Sequence, residues 1–316
     1  MQVGDRIVVR QEEFDTIGHV LSVDPLIVRP HARGGLPSNA EPVRIDNPLM
    51  IKRLSPRTVR NADIRAIEVA TAKAFPGIEH TWCGQWLLRA GDGVTERSNS
   101  AAPLGPQALF TPVPYEEIKE FYRRHNLPAL ILVPERIAPA IPDDAPAIPD
   151  DAPAIPDDAP AIPDDGPEII VMTHPLDNVS EINDVHAEFL DQPDDDWLEL
   201  YHFRGKALPR HALELLRTTI DGRMCFGRLK RDGKTVAITR GTITDGYLGY
   251  SAVEVAPEYR RQGLATELGA AMLAWGKAHG AHTAYLQVIE SNAAGIGLYH
   301  KLGFVEHHRH KYVQVS

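Results

Sequence analysis

The sequence has little cysteine, the residue that holds small secreted domains together by disulfide bonds. It contains only two cysteines, Cys83 and Cys225, which cannot build a disulfide framework. It also lacks any apolar run of about 18 residues, and its first residues carry no apolar stretch of the kind that a signal peptide needs. These absences argue against a membrane-spanning or secreted chain, and we expect a reducing, cytoplasmic location.

Much of the negative charge is concentrated in one low-complexity segment. Residues 138–165 are four copies of Ala-Pro-Ala-Ile-Pro-Asp-Asp, with eight aspartates and no lysine or arginine. Without them the net charge of −10 becomes −2, so neither nucleic acid nor an anionic membrane surface is favoured as a partner. Two prolines per repeat forbid a continuous helix. We therefore expect an extended acidic linker over residues 138–167, with a docking motif as the alternative.

The linker separates two predicted domains from a third. Residues 1–56 contain short strand patterns separated by turn signals such as Asp24-Pro25, which predict a small all-β barrel of the Src-homology-3 type. Residues 57–137 combine two helical patterns with short strand patterns, one of them at residues 94–97. The polar and aromatic stretches at residues 82–86 and 97–100 are interpreted as packing aromatics and a polar turn.

One motif in the last domain, residues 168–316, predicts an anion site. The stretch Arg260-Arg261-Gln262-Gly263-Leu264-Ala265 joins a predicted strand over residues 247–255 to a helix with apolar residues at helical spacing. Backbone N–H groups at a helix N-terminus favour a phosphate, and Gly263 lets the backbone approach it. The two arginines add positive charge. The motif therefore predicts a pyrophosphate-binding turn.

A second motif follows downstream, with Asn292 and then Leu298-Tyr299-His300-Lys301-Leu302-Gly303-Phe304. In this order and spacing the two motifs resemble the GNAT superfamily of acetyl-CoA-dependent N-acetyltransferases, over about half of the chain. The resemblance implies an α/β (α+β) fold with a mixed, mostly antiparallel sheet flanked by helices. A small barrel and a degenerate first half before such a domain are similar to bacterial GNAT proteins sometimes labelled histone acetyltransferases.

The resemblance also indicates which residues form the site. The expected contacts with acetyl-CoA are Val253, Val255, Arg260, Arg261, Gln262, Gly263, Leu264, Ala265, Thr266 and Asn292. Tyr299 is the expected acid for the leaving thiolate, because a phenol stays protonated at neutral pH; an aromatic anchor is its alternative role. Glu254, within the cofactor strand, is a candidate general base acting directly or through water, and a plain structural glutamate is the other interpretation.

The last helix departs from the family pattern. Gly295 stands where a small helix former is commoner, and Gly297 adds a second flexible residue. Each costs about 1 kcal/mol in a helix interior. We therefore expect this helix to depend on tertiary packing or on cofactor binding.

Two further polar stretches have plain interpretations. Strand alternation puts His308 and His310 on one face and His307 on the other, so a polar edge strand is favoured over a metal site, and no metal is expected. The acidic residues 191–196 are interpreted as a solvated loop, although they could attract a cationic amine.

The expected function is transfer of the acetyl group of acetyl-CoA to a primary amine by direct attack in a ternary complex. A small molecule or a peptide is the expected acceptor, a membrane and nucleic acid are not expected partners, and a homodimer stays open. The alternative is a catalytically weak acyl-CoA-binding regulatory module that acts on a partner through the barrel. The presence of both Asn292 and Tyr299 speaks against that alternative.

Overall fold

The computed structural model describes residues 1–141 and 166–315, apart from residues 13, 33–34, 55–57, 178, 180–186, 204–205 and 208–209. From residue 142 to residue 165, the predicted acidic linker lies outside the described residues. The chain divides into two compact units, Met1–Arg60 with Val305–His307, and Asn61–Phe304 with His308–Ser316. None of the described helices combines the length and the apolar character that crossing a bilayer requires.

The smaller unit contains a five-stranded antiparallel sheet. Its strands are β1 (Arg6–Arg10), β2 (Asp15–Val23), β3 (Leu26–Pro30), β4 (Val43–Arg44) and β5 (Met50–Arg53), in the order β4-β3-β2-β1-β5. The core of the unit consists of Ile7, Val9, Val20, Val28 and Ile45. The prediction of a small all-β unit is confirmed. Closure into a Src-homology-3-type barrel stays a prediction, because β4 and β5 are the two ends of the observed order.

The larger unit holds the remaining elements, apart from the first residues of the last strand. Its helices are α1 (Asn61–Ala74), α2 (Tyr115–Arg124), α3 (Asp195–Leu200), α4 (Arg210–Thr219), α5 (Leu264–Ala278) and α6 (Ala293–Lys301). Its strands are β6 (Glu79–Cys83), β7 (Trp86–Ala90), β8 (Leu130–Pro134), β9 (Ile169–Pro175), β10 (Ala187–Leu190), β11 (His202–Phe203), β12 (Lys206–Ala207), β13 (Arg223–Arg231), β14 (Lys234–Thr244), β15 (Tyr247–Val255), β16 (Thr283–Ile289) and β17 (Val305–Gln314). The predicted bounds of β15 are confirmed.

Eight of these strands form one mixed sheet in the order β10-β13-β14-β15-β16-β9-β17-β8. Most neighbours pair antiparallel, whereas β15 and β16 run parallel. The edge strand β8 comes from before the linker and pairs with β17 from the end of the chain. Segments predicted as two domains therefore share one sheet and one compact unit. A mostly antiparallel sheet with flanking helices confirms the predicted fold class.

Helix α5 packs closely on the centre of this sheet. Its apolar positions Leu264, Leu268 and Met272 are buried, as their helical spacing predicts. Gly276 allows the close approach, because a Cβ at this position would lie 2.5 Å from the Leu248 side chain of β15. The packing holds β15 in place just before the start of α5.

Residues 94–97, predicted as a strand, form none, and Glu96–Ser98 is a single 3₁₀ turn. The reason is Asn99, whose Oδ1 accepts the Gly91 N–H and whose Nδ2 donates to Thr95 O, both at 2.7 Å. These side-chain bonds satisfy backbone groups that a strand would pair with a neighbour. The polar turn predicted over residues 97–100 therefore extends further toward the N-terminus.

The histidines near the C-terminus lie on an interior strand, so the predicted polar edge strand is wrong. β17 has β9 on one side and β8 on the other. The expected alternation is present, since His308 and His310 are 1% and 2% exposed whereas His307 is only partly buried. Strand patterns cannot show that β8, which lies before the linker, covers this edge.

A buried carboxylate on α1, Glu68, binds both imidazoles. Its Oε1 accepts hydrogen bonds from His308 Nε2 at 2.8 Å and from His310 Nδ1 at 2.7 Å. Burial acts to raise the pKa of Glu68, but the attraction of His310 and the bonds from both imidazoles outweigh it and hold this pKa well below its usual range. The donor atoms lie within 4.8 Å of one another, which is also compatible with a metal ion. The observed contacts are hydrogen bonds that tie α1 to β17.

Glu68→Ala should lower the free energy of unfolding by about 3–5 kcal/mol, because it leaves two buried imidazoles without their acceptor. The pKa of Glu68 is lower in the folded than in the unfolded chain. Its stabilising contribution is therefore present above the ordinary value of 4.5 and is lost as the pH falls from there toward the folded value. Urea unfolding followed by tryptophan fluorescence at several pH values measures both effects.

The matched control is Glu120 on α2, which pairs with Arg123 at 2.8 Å on the surface. Glu120→Ala should cost less than about 1 kcal/mol, because exposed ion pairs contribute little. Equal losses in the two variants would show that the buried cluster does not stabilise the unit.

Candidate active site

The turn between β15 and α5 has the backbone shape of an anion-binding nest. After Val255 the chain makes a single 3₁₀ turn at Pro257–Tyr259. Arg261 and Gly263 then adopt positive φ angles of 64° and 84°. Left-handed residues beside a helix start aim neighbouring N–H groups toward one point. Since Gly263 is the N-cap of α5, this point lies at the positive end of the helix dipole.

The nest is open to a ligand. Thr266 and Glu267 donate their N–H groups to Gly263 O at 2.9 and 3.0 Å. The N–H groups of Leu264 and Ala265, by contrast, have no protein acceptor in the part of the chain that the structure describes. No atom lies within 4 Å of the position that a Cβ of Gly263 would take. Free donors and free space fit the pyrophosphate of acetyl-CoA, which the family resemblance implies.

Two polar side chains brace the turn. Arg260 Nε donates to Val255 O at 3.0 Å, and Gln262 Nε2 donates to Glu258 O at 3.3 Å. Arg260 and Arg261 are both exposed. The side chains thus fix the shape of the turn, and the two guanidinium groups place positive charge next to it.

Beside the turn, β15 separates from β16. Their parallel pairing ends at Gly249 and Tyr285, although both strands continue. On its other side β15 stays paired with β14 as far as Val255, with a bulge where Ala252 takes a φ of 56°. A gap therefore opens between β15 and β16 at the end nearest the turn. Val253 and Val255 border it, and backbone groups there need a partner.

Tyr299 and Glu254 lie close together beside this gap. The Tyr299 ring on α6 meets the Tyr250 ring of β15 edge-on, with centroids 6.0 Å apart. Burial, with the Glu254 carboxylate as a second cause, raises the pKa of Tyr299 to about 12. Burial also raises the pKa of Glu254, against the opposing effects of Arg260 and His202. The phenol is therefore protonated at neutral pH, and the carboxylate is more basic than an exposed one.

Asn292 is the N-cap of α6. Its Oδ1 accepts the Gly295 N–H at 2.9 Å. A Cβ at residue 295 would lie 2.8 Å from Asn292 Nδ2, so the glycine that departs from the family pattern makes room for this cap. A contact between Asn292 and the cofactor stays a prediction. What the structure shows is that Asn292 starts the helix that carries Tyr299.

Two adjoining cavities lie next to the gap. The first is bordered by residues 249–251 of β15 and residues 285–287 of β16. The second is bordered by Arg240 of β14, among other residues. Phe75 and Arg97 line both cavities. Arg97 thus borders the cavity at the gap as well as the cavity that Arg240 lines.

Neither of these two arginines is predicted from the sequence as a residue of the site. The sequence does carry a signal for Arg240, because this charged residue stands between apolar and small residues of a strand. In the structure its side chain is 2% exposed, which is rare for a charged residue. Arg97 was assigned to a polar turn, and no local pattern distinguishes it. Only the fold brings residue 97 next to the central strands.

Comparison with known proteins identifies the family. A family model described as "Probable histone acetyltransferase Rv0428c C-terminal" matches residues 61–313. The chain belongs to this family. The probable histone acetyltransferase Rv0428c of Mycobacterium tuberculosis is 32% identical over 325 residues, which cover 98% of this chain and 95% of the relative. The uncharacterized N-acetyltransferase YobR of Bacillus subtilis is 28% identical over 260 residues, which cover 78% of this chain and 97% of the relative.

A solved structure shows the same fold. The GCN5-related N-acetyltransferase from Kribbella flavida matches with a TM-score of 0.52 at 16% identity, over 79% of this chain and 95% of that one. As a member of the Rv0428c C-terminal family, the chain is an acyltransferase of the GNAT type that transfers acetyl groups. The predicted enzyme class is therefore confirmed.

Gly263→Glu should abolish the binding of CoA, because the new side chain fills the open nest and places a negative charge where the phosphates are expected. Isothermal titration calorimetry with CoA measures the effect. Gly280, just after α5, is the matched control, since its φ is also positive and the space at its Cβ is also empty. Gly280→Glu should bind CoA normally, and normal binding by Gly263→Glu would show that the turn does not hold the phosphates.

Proposed function

We propose that the protein transfers the acetyl group of acetyl-CoA directly to a primary amine in a ternary complex. The observation that carries the proposal is the gap between β15 and β16, which has the phosphate turn at one end and Tyr299 and Glu254 beside it. A gap of this kind accommodates two substrates that meet without a covalent carrier on the protein.

The residues of the gap match the chemistry of acetyl-CoA, which supplies an activated acetyl thioester. The free N–H groups of Leu264 and Ala265 suit the pyrophosphate, and Arg260 and Arg261 add positive charge. Strand backbone around Val253–255 suits the amide-rich arm of the cofactor, which binds in the manner of an added strand. N–H groups in this strand also stabilise negative charge that develops on the acetyl carbonyl oxygen.

Tyr299 acts as a hydrogen-bond donor to the leaving sulfur. Its pKa of about 12 lies above the value of roughly 8.5 for a thiol. Full proton transfer from the phenol to the thiolate is therefore uphill, whereas a hydrogen bond stabilises the thiolate without it. This refines the expectation of a simple proton donor, because the position of the phenol matters more than its acidity.

Glu254 accepts the proton that the amine must lose. Its pKa is raised by burial, and a carboxylate with a raised pKa is a stronger base near neutral pH. It lies on the cofactor strand itself, within electrostatic reach of Tyr299. The amine proton reaches Glu254 directly or through one water.

The two cysteines support direct transfer. Burial raises the pKa of Cys225 to about 12, so this thiol is not a nucleophile at neutral pH. Burial, with Glu117 as a second cause, also raises the pKa of Cys83. Neither thiol is among the residues that border the gap. An acetylated cysteine is therefore not the route that the described residues favour.

The proposal also covers the fold and the role of the smaller unit. We assign it a Src-homology-3-type barrel with a structural or oligomerisation role, in a cytoplasmic protein that acts on a small-molecule or peptide amine. Its strand pattern and its compact apolar core support the assignment.

Tyr299→Phe should lower kcat by roughly 10- to 100-fold, because a hydrogen bond to a charged atom is lost. The affinity for CoA should stay nearly unchanged, since the ring still packs against Tyr250. Thiol release with an accepted amine and calorimetry with CoA measure the two quantities. Unchanged kcat would remove Tyr299 from the chemistry.

Initial-rate kinetics with both substrates varied should give intersecting double-reciprocal lines, as a ternary complex requires. Parallel lines would indicate a covalent carrier. Tight CoA binding without thiol release, across small amines, amino acids and lysine peptides, would favour the regulatory module over the transferase.

Glu254→Gln should lower kcat and remove an acidic limb from the pH profile. In the unchanged protein the rate should rise as Glu254 loses its proton, with a midpoint above the ordinary 4.5 because burial raises this pKa. Two acceptor amines of different pKa separate this limb from titration of the amine. The exposed Glu258 is the control, and Glu258→Gln should keep the limb. Persistence of the limb in Glu254→Gln would exclude Glu254 as the base.

A further inference from the structure

The two arginines beside the gap, Arg97 and Arg240, have no ion-pair partner among the residues that the structure describes. Arg240 is 2% exposed. Its Nε donates to Ser251 Oγ at 3.3 Å, whereas its Nη1 has no hydrogen-bond partner among the described residues. Within the described chain, neither Arg240 nor Arg97 has a carboxylate oxygen within 4.0 Å. Because a guanidinium group stays charged, its burial here is costly unless an anion is present.

Both guanidinium groups lie against one aromatic ring. Arg97 Cζ is 4.5 Å and Arg240 Cζ is 5.4 Å from the centroid of Phe75. Cation–π contacts compensate for only part of the lost hydration. Burial lowers the pKa of Arg240, and the nearby charge of Arg97 lowers it further. Two guanidinium groups that contact the same aromatic ring favour the binding of an anion beside them.

One carboxylate, Asp92, lines the arginine cavity. Its Oδ1 accepts the Val94 N–H at 3.2 Å, whereas its Oδ2 lies 3.6 Å from His211 Nε2 and has no hydrogen-bond partner among the described residues. Another buried arginine, Arg89, donates to the Ser100 hydroxyl at 3.1 Å and to Phe75 O at 3.5 Å.

Two of the carboxylates in the acidic stretch at residues 191–196 have partners of their own. Asp194 caps α3 by accepting the Trp197 N–H, and it pairs with Arg228. Asp195 pairs with Arg210 at 2.8 Å. The charged side chains that line the two cavities are Asp92, Arg97 and Arg240.

We infer that the acetyl acceptor carries a carboxylate, which Arg97 and Arg240 bind while its amine reaches the gap between β15 and β16. A guanidinium group binds a carboxylate through two parallel N–H···O bonds, which fixes orientation as well as affinity. The inference rests on the proposed transferase function and names the class of its acceptor. A small amino acid fits this class, and a lysine-rich peptide does not.

The pairing of β14 with β15 indicates where the carboxylate of the acceptor lies relative to the gap. Arg240 stands opposite Ser251 in the β14–β15 ladder, and opposite residues are about 5 Å apart at Cα. Ser251 in turn borders the cavity that leads to the gap. Since Arg240 Nε also reaches Ser251 Oγ at 3.3 Å, we expect an acceptor whose carboxylate is close to its amine, as in an α- or β-amino acid.

Matched pairs of acceptors test the inference with the full-length protein. Thiol release from acetyl-CoA is measured with L-phenylalanine against phenethylamine, with β-alanine against ethylamine, and with a lysine peptide. The carboxylate member of a pair should have a kcat/KM roughly 10- to 100-fold higher, because charge-assisted hydrogen bonds are lost in its partner. Preferred turnover of the plain amine or of the lysine peptide would overturn the inference and leave the transferase function intact.

Arginine variants locate the carboxylate. Arg97→Gln should raise KM for the carboxylate acceptor by roughly 10-fold or more and erase the preference within a pair, with KM for acetyl-CoA unchanged. Arg97→Lys should recover part of the loss, since it keeps the charge but not the fork. Arg97 is only partly buried, so its variants should fold, and Arg240→Gln is the second variant. The control Arg217→Gln, on the exposed face of α4, should keep the preference.

A binding measurement separates failure of this inference from failure of the proposed function. With CoA present, the same amino acids should raise the unfolding temperature of the unchanged protein but not that of Arg97→Gln. If no amine is turned over and this arginine-dependent shift is seen, the transferase proposal fails and the carboxylate site stands. If turnover occurs but no carboxylate gives a shift, the carboxylate site is wrong.

Discussion

The strand β15 is hydrogen-bonded to β14 along most of its length, but to β16 only over its first three residues. This unequal pairing produces the gap on which the site depends. One side holds the strand in the sheet, and the other leaves backbone groups that need a ligand. Close packing of α5 at Gly276 and of Tyr285 at Gly249, where a Cβ would lie 3.0 Å from the phenol oxygen, maintains the geometry.

The segment before the linker completes the acceptor side of the gap. Helix α1 carries Glu68, which ties it to β17, and one turn later Thr71, whose hydroxyl accepts from Gln287 Nε2 at 3.5 Å. Phe75 follows at the end of this helix and lies under both arginines. The segment before the linker therefore forms one wall of the cavity. The buried cluster at Glu68 is the anchor of that wall.

The local parts of this arrangement could be predicted from the sequence. Residues 61–74 and 247–255 have helix and strand patterns that decide their structure without distant contacts. The phosphate turn is equally local, since Gly263 and the start of α5 are neighbours in sequence. The positions of Tyr299 and Glu254 follow from the family resemblance, while their raised pKa values depend on burial that only the fold reveals.

The parts that could not be predicted depend on individual side-chain and strand contacts, some of them across the linker. β8 covers β17, which turns an expected edge strand into an interior one. Asn99 converts an expected strand into a turn, and that turn delivers Arg97 to Phe75. Pairwise contacts of this kind leave no periodic pattern in the chain. For the same reason the sequence alone does not predict the carboxylate site that we propose at Arg97 and Arg240.

The most direct test of the account is a crystal structure of the protein with CoA bound. We predict that the pyrophosphate oxygens lie within hydrogen-bond distance of the N–H groups of Leu264 and Ala265, and that the amide-rich arm of CoA lies in the gap between β15 and β16. We also predict that the CoA sulfur lies within hydrogen-bond distance of Tyr299 Oη. A CoA molecule bound away from the turn, or a sulfur remote from Tyr299, would contradict it.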